Sequence, residues 1–252
     1  MTGRVAFVTG GGRGIGRAVA HALARAGAAV AVADLDGASA ARVADELVAD
    51  GGRAVGLAAD VTDLAAVRAA VAGAERALGP LDAVVNNAGW DVLQPFVDND
   101  PAVWDRLIAV NFKGVLHGCR AALDAGMLAR GGGRIVNIAS DAGRVGSTGE
   151  AVYAGCKAGV IGFSKALARE VARSGVTVNV VCPGPTETAL LADVMAGERG
   201  EKILAGIRRG IPLGRLGQPD DVAGAVCWFC SDAAAYVTGQ VLSVSGGLTM
   251  AG

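Results

Sequence analysis

Ser140, Tyr153 and Lys157 stand in one stretch, SDAGRVGSTGEAVYAGCK, and their types and spacing suit a proton-transfer site. Tyr153 and Lys157 are four apart in a helical pattern, so they share one face a turn apart. An ammonium beside a phenol favours the phenolate, and each unit taken from a pKa near ~10 is worth ~1.4 kcal/mol. A tyrosine tuned this way takes a proton from an alcohol as hydride leaves its carbon. Ser140 ends the fifth apolar run, where its hydroxyl can hold the substrate oxygen. Taken singly, the same residues read equally well as a packed tyrosine and a solvated lysine. Between them, Arg144 is open between a contact to an anionic or carbonyl-bearing substrate and a surface ion pair. Glu150 is expected to cap the tyrosine helix, where negative charge is favoured.

A second constellation lies near the start. The run VTGGGRGIG ends a strand pattern and opens a helix pattern. Gly10, Gly14 and Gly16 permit a tight turn and close backbone approach, and the helix N-terminus offers free N–H groups to a pyrophosphate. Arg13 and Ile15 complete the loop. Asp34 closes the next strand run, AVAVAD, where a carboxylate binds the two ribose hydroxyls of NAD and repels a 2′-phosphate. Arg13 could bind that phosphate, but Leu35 follows Asp34 and no second base stands beside it, so NAD is expected over NADP.

These residues need a scaffold. Seven apolar runs, RVAFVT, AVAVAD, RAVGLAA, DAVVNN, GRIVNIAS, VTVNVVCP and QVLSVSG, alternate with longer helical patterns. Near-continuous apolar strands between helices predict an α/β fold: a doubly wound, Rossmann parallel seven-stranded sheet covered on both faces. Residues 1–252 read as one domain, with a polar segment at about 188–217 expected as a lid. The net charge of −1 leaves no basic stripe, so no nucleic acid partner is expected. No apolar run approaches the ~20 residues that span a bilayer. The chain enters a strand-like run without a charged leader, and a cytoplasmic location is expected. Five scattered cysteines do not form a disulfide framework, and Cys227 and Cys230 of CWFC read as packing residues in a helix. His21 and His117 lack ligand-spaced partners, so no catalytic metal is expected. No G-x-S-x-G turn appears, which argues against hydrolysis.

Over nearly its whole length the chain resembles the short-chain dehydrogenases/reductases. The likeness is carried by TGGGRGIG at 9–16, Asp60-Val61, NNAG at 86–89, Asn111, Ser140, Tyr153-AGC-Lys157 and PGPTET at 183–188. The resemblance implies that Tyr153 is the general acid/base, Ser140 the substrate-oxygen clamp and Lys157 a ligand of the nicotinamide ribose. It implies that Asn111 holds a relay water, that Asp60 and Val61 flank the adenine, and that Asn87, Ala88 and Gly89 floor the cofactor. Pro183, Gly184, Thr186 and Thr188 would face the nicotinamide and phosphates. Ser245 departs from the pattern, since many members carry Asp there. NNAGWD, IPLGRLGQPDD and GQVLSVSGGLTM resemble loops of dehydrogenases that oxidise cyclic β-hydroxyacyl-CoA thioesters, which makes an acyl-CoA the expected substrate. Trp90 would wall a ring, and Arg208, Arg209 and Arg215 could meet CoA phosphates or stay solvated. Two readings compete: a 3-oxoacyl-(acyl carrier protein) reductase using NADPH, and a catalytically silent NAD-binding regulator. Small residues on the tyrosine helix, among them Gly155 and Gly162, together with the resemblance imply a homotetramer.

Overall fold

A computed structural model describes residues 1–194 and 198–251 of the chain. The apolar runs form β1 (Val5–Thr9), β2 (Ala29–Asp34), β3 (Ala54–Ala58), β4 (Ala83–Asn86), β5 (Gly133–Ile138), β6 (Val176–Pro183) and β7 (Val241–Val244). They pair in the order β3-β2-β1-β4-β5-β6-β7, every pair parallel. The chain winds outward from β1 to β3, then returns to lay β4 on the other side of β1. The crevice over the carboxyl ends of β1 and β4 is therefore the switch point at which such sheets take ligands.

The helices are α1 (Gly14–Arg25), α2 (Gly37–Ala49), α3 (Leu64–Leu78), α4 (Pro101–Ile108), α5 (Gly114–Ala122), α6 (Ala142–Val145), α7 (Ala151–Val171), α8 (Ala189–Val194), α9 (Glu198–Gly210) and α10 (Pro219–Cys230). Alternation along the strands feeds two cores. Val5, Phe7 and Ile135 face α3, α5 and α7, whereas Ala6, Val8 and Val136 face α1, α2 and α10. Both faces are apolar because both are covered. Burying a Val, Ile or Phe contributes ~1.5–3 kcal/mol.

The helix starts differ in a way that matters for the site. Asp36, Asp63 and Asp100 each accept a backbone N–H at the N-cap of α2, α3 and α4. Such a cap is worth ~1 kcal/mol. The N-cap of α1 is Arg13, whose side chain caps nothing. Between α4 and α5, residues Ala109–Lys113 form a π turn. Cys227 and Cys230 lie in α10 as free thiols, with Cys230 buried in the core on that face.

The segment expected as a lid is an excursion with a closed base. Thr186 pairs with Gly217 in an isolated bridge, and Glu187 N–H reaches the Gly217 carbonyl at 2.8 Å. Helices α8 and α9 lie inside it, and residues 195–197 of the expected lid lie outside the described residues. Among the described residues, no helix is long and apolar enough to cross a membrane, and no cluster of His, Cys, Asp or Glu is placed to hold a metal ion.

Candidate active site

A cavity of about 1460 Å³ opens over the carboxyl ends of the strands. Its first wall is the glycine loop. Gly10 and Gly14 have φ of +62° and +54°, the left-handed region that suits glycine. Gly16 is buried behind the loop, where a Cβ would stand 2.0 Å from the Gly10 carbonyl oxygen. Asn87 Nδ2 donates to the Thr9 and Gly10 carbonyls, at 3.0 Å each, which ties the end of β4 to the loop. The backbone N–H groups of Asn87 and Ala88 reach Thr9 Oγ1 at 3.0 and 3.2 Å. The uncapped first turn of α1 opens on this wall, and Arg13, Gly14 and Ile15 line it. Free amides and the helix dipole make it a ready anion site.

Asp34 stands at the far edge. Its Oδ2 accepts from Gly12 N–H at 2.9 Å and its Oδ1 from Asp36 N–H at 3.1 Å, so its carboxylate is held in place. Asp60 is fixed by Thr62, whose N–H and Oγ1 both donate at 2.8 Å, and Val61 lines the cavity beside it. Gly89, Pro183, Gly184, Thr186 and Thr188 complete the lining. Thus every expected cofactor residue except Gly16 lines one cavity, and Gly16 shapes the wall from behind. The fit to a dinucleotide rests on the uncapped helix facing a fixed carboxylate across that space.

The other end carries the chemistry. Ser140 lies two residues past the end of β5, a small departure from the strand-end position expected. Its Oγ accepts from Ala142 N–H at 3.1 Å and hydrogen-bonds the Tyr153 phenol. Lys157 is 2 % exposed; its Nζ donates to the Ile138 carbonyl at 3.0 Å and lies 5.5 Å from the Tyr153 ring centroid. The expected lowering of the tyrosine pKa is not what this geometry delivers. Burial pushes the phenol above its ordinary value and the Asp91 charge adds to it, while the Ser140 hydrogen bond opposes both. Burial lowers the Lys157 ammonium to about 8. Helical spacing places the lysine; burial decides the charge.

Three of the named residues are engaged by other parts of the fold. Arg144 does not line the cavity: it donates to Ser243 Oγ at 2.8 Å and to the Ala251 carbonyl, latching the C-terminal segment rather than meeting substrate. Glu150 occupies the N-cap position of α7, but its side chain bonds no helix amide; its carboxyl meets Asp91 instead. Asn111, 0 % exposed in the π turn, does not line the cavity. Its Nδ2 donates to the Trp90 and Leu107 carbonyls at 2.7 and 3.1 Å, and its Oδ1 accepts Trp90 N–H at 3.2 Å. The side chain thus fixes backbone beside Gly89. Trp90 lines the cavity, with the Arg106 guanidinium 4.0 Å over its ring. Arg215 is engaged by Asp221 at 2.6 and 2.9 Å, and Arg208 lies 3.9 Å from Glu187. None of Arg208, Arg209 and Arg215 lines the cavity.

Asp91, Arg106, Ser39, Ile203 and Ile207 also line the cavity and escaped the sequence reading. Only Asp91 left a signal, an acid directly after an apolar strand and NNAGW. Burial and Glu150 raise its carboxyl to about 8. An acid whose folded pKa is raised stabilises fully below its unfolded value near ~4 and loses that contribution as pH rises toward the folded value. Asp91→Asn removes the titration. The unfolding free energy of the variant minus that of the parent therefore grows from pH 5 to pH 8 and then levels, at up to ~1.4 kcal/mol per pH unit, and the Tm difference follows it. A difference independent of pH would show that Asp91 is ionised throughout.

A family model described as enoyl-(acyl carrier protein) reductase matches residues 10–249. The chain is 42% identical over 250 residues to 2-(S)-hydroxypropyl-CoM dehydrogenase 3 of Xanthobacter autotrophicus (strain ATCC BAA-1158 / Py2), covering 99% of this chain and 98% of that protein. It is 41% identical over 251 residues to the 3-oxoacyl-[acyl-carrier-protein] reductase FabG of Escherichia coli (strain K12), with 98% of each covered. A crystal structure described as a short-chain alcohol dehydrogenase from Sinorhizobium meliloti 1021 superposes with a TM-score of 0.92 at 38% identity, over 98% of this chain and 97% of that one.

Proposed function

We propose, from the premise that this chain belongs to the short-chain dehydrogenase/reductase family, that it uses NAD to interconvert a β-hydroxyacyl-CoA thioester and its β-keto form. Membership makes it an oxidoreductase with a nicotinamide cofactor, acting between alcohol and ketone. The observation that carries the reading is one cavity with Ser140, Tyr153 and Lys157 at one end and Asp34 at the other. Bound NAD supplies the hydride acceptor. Ser140 holds the substrate oxygen and Tyr153 takes its proton. Lys157, anchored at the Ile138 carbonyl, binds the nicotinamide ribose. Asn111 serves a relay water through its backbone, since its side chain is engaged with Trp90 and Leu107.

The substrate class rests on likeness and on shape. The pocket-side loops resemble those of 2-hydroxycyclohexanecarboxyl-CoA dehydrogenase. Trp90, Leu93, Val110, Val145, Leu190 and Ile207 give the cavity apolar walls suited to a ring. We take the excursion between Thr186 and Gly217 as a lid over it. Gly155, Ala158 and Gly162 are exposed or open on α7 and would let a second copy approach, so we place the chain in a cytoplasmic homotetramer.

The second reading, an NADPH-dependent 3-oxoacyl-(acyl carrier protein) reductase, is favoured by the FabG relative and by Arg13, which is exposed at the cavity edge. Asp34 opposes it, because a fixed carboxylate repels a 2′-phosphate. The deciding measurement is kcat/KM with NAD and NADP, using cyclic hydroxyacyl-CoA in one direction and 3-oxoacyl thioesters in the other. We expect NAD to be preferred by at least about tenfold, and Asp34→Ala to erase most of that preference. A preference for NADP in the parent, or an unmoved ratio in the variant, would overturn the cofactor assignment.

A further inference from the structure

Asp91 lines the cavity, is 8 % exposed, and has one oxygen, Oδ1, with no hydrogen-bond donor among the described residues. The group it meets is the Glu150 carboxyl, which also lines the cavity. Two carboxylates have only acceptors to offer each other. A single proton between them replaces repulsion by a strong O–H···O bond and gives the orphaned oxygen its partner.

The backbone holds the two acids together. Gln94 N–H donates to the Gly149 carbonyl at 2.9 Å, which pins the segment after β4 to the loop before α7. Gly149 turns with φ of +82° under Leu93, whose Cδ1 would lie 2.8 Å from a Cβ there. Glu150 stands where an acid would ordinarily cap a helix, yet its side chain leaves the α7 amides alone. Charged and titratable groups that reach Asp91 besides Glu150 are Lys157 and Tyr153, both on α7. The acid pair therefore sits against the reacting end of the cavity. With one shared proton it carries one negative charge.

We infer that Asp91 and Glu150 form a charge wall that selects a neutral acyl group, an ester or thioester, beside the reacting carbon and excludes a carboxylate there. The inference rests on the dehydrogenase reading and deepens it, since it states why a hydroxy acid must be esterified to be a substrate. One like charge at ~6 Å under an effective dielectric near ~20 disfavours the free acid by roughly a hundredfold.

The test compares kcat/KM for 2-hydroxycyclohexanecarboxylic acid, its methyl ester and plain cyclohexanol, with NAD, from pH 6 to pH 9. In the parent we expect the ester-to-acid ratio to be about a hundred and to rise further as the shared proton leaves near pH 8. Asp91→Asn and Glu150→Gln each leave one carboxylate bonded to an amide, so each keeps the discrimination and retains only the weaker pH dependence that Lys157, lowered to about 8, imposes on parent and variants alike. The double variant has no charge there, and its ratio falls at least about tenfold. A role confined to folding would not produce this pattern. If the parent turns over the ester and cyclohexanol but does not discriminate against the acid, or if the double variant discriminates as well as the parent, the charge wall is overturned. If the double variant does not fold, a ratio that rises with pH as steeply in both single variants as in the parent is equally decisive against it. If the parent oxidises no alcohol of the set, the dehydrogenase reading itself falls, and the wall with it.

Discussion

Tyr153→Phe should lower kcat by about 10²- to 10⁴-fold, the range that positioned proton transfer contributes, while NAD affinity changes by less than about threefold. The ring would keep its place, because the substitution removes only the phenol oxygen and its hydrogen bond to Ser140. Lys157 would stay anchored to the Ile138 carbonyl, 3.0 Å away, so the ribose site should survive. Stopped-flow turnover with a saturating alcohol, beside a fluorescence titration of NAD, separates the two effects. More than about a tenth of the parent's kcat in the variant would mean that another group moves the proton. A matching loss of NAD affinity would mean that the tyrosine holds the cofactor rather than the proton.

Gly16→Ala should act through a different failure. Its Cβ would lie 2.0 Å from the Gly10 oxygen, 2.5 Å from Asn87 Nδ2 and 2.8 Å from the Gly10 carbonyl carbon. Two of these are backbone, and the amide is already bonded to Thr9 and Gly10. The loop has to move away from α1, and overpacking of this kind costs ~1–3 kcal/mol even where side chains can yield. We expect NAD affinity to fall at least about a hundredfold, equivalent to ~2.7 kcal/mol, with a lower Tm. Gly224→Ala is the control: that glycine is exposed on α10, and a Cβ there meets nothing within 4 Å. Calorimetric titration of NAD into both variants decides the matter. Equal affinities would show that the glycine loop does not hold the pyrophosphate.

The elements that position this site were legible because each is a local pattern. Both faces of the sheet are covered, so its strands read as unbroken apolar runs. The glycine loop, Asp34 and the Tyr153–Lys157 spacing are equally local. What stayed hidden comes from contacts across the fold. Arg144 stays open between a substrate contact and a surface ion pair until Ser243 and Ala251 arrive from the far end of the chain to occupy it. Glu150 reads as a cap until the turn at Gly149 brings its carboxyl to Asp91. Asn111 reads as a water ligand, but spacing does not show that the π turn buries its side-chain amide against Trp90. The tyrosine's position follows from periodicity, but its raised pKa follows from burial, which spacing does not encode.

The central claim is hydride transfer from a secondary alcohol to NAD at Ser140, Tyr153 and Lys157. The direct measurement supplies the pure chain with NAD and a cyclic hydroxyacyl-CoA deuterated at the carbinol carbon, then follows the label by mass spectrometry. One deuterium on the reduced nicotinamide for every ketone formed, lost in Tyr153→Phe, is the expected result. NAD bound with no label transferred from any alcohol of the series would contradict it and leave a silent dinucleotide-binding protein.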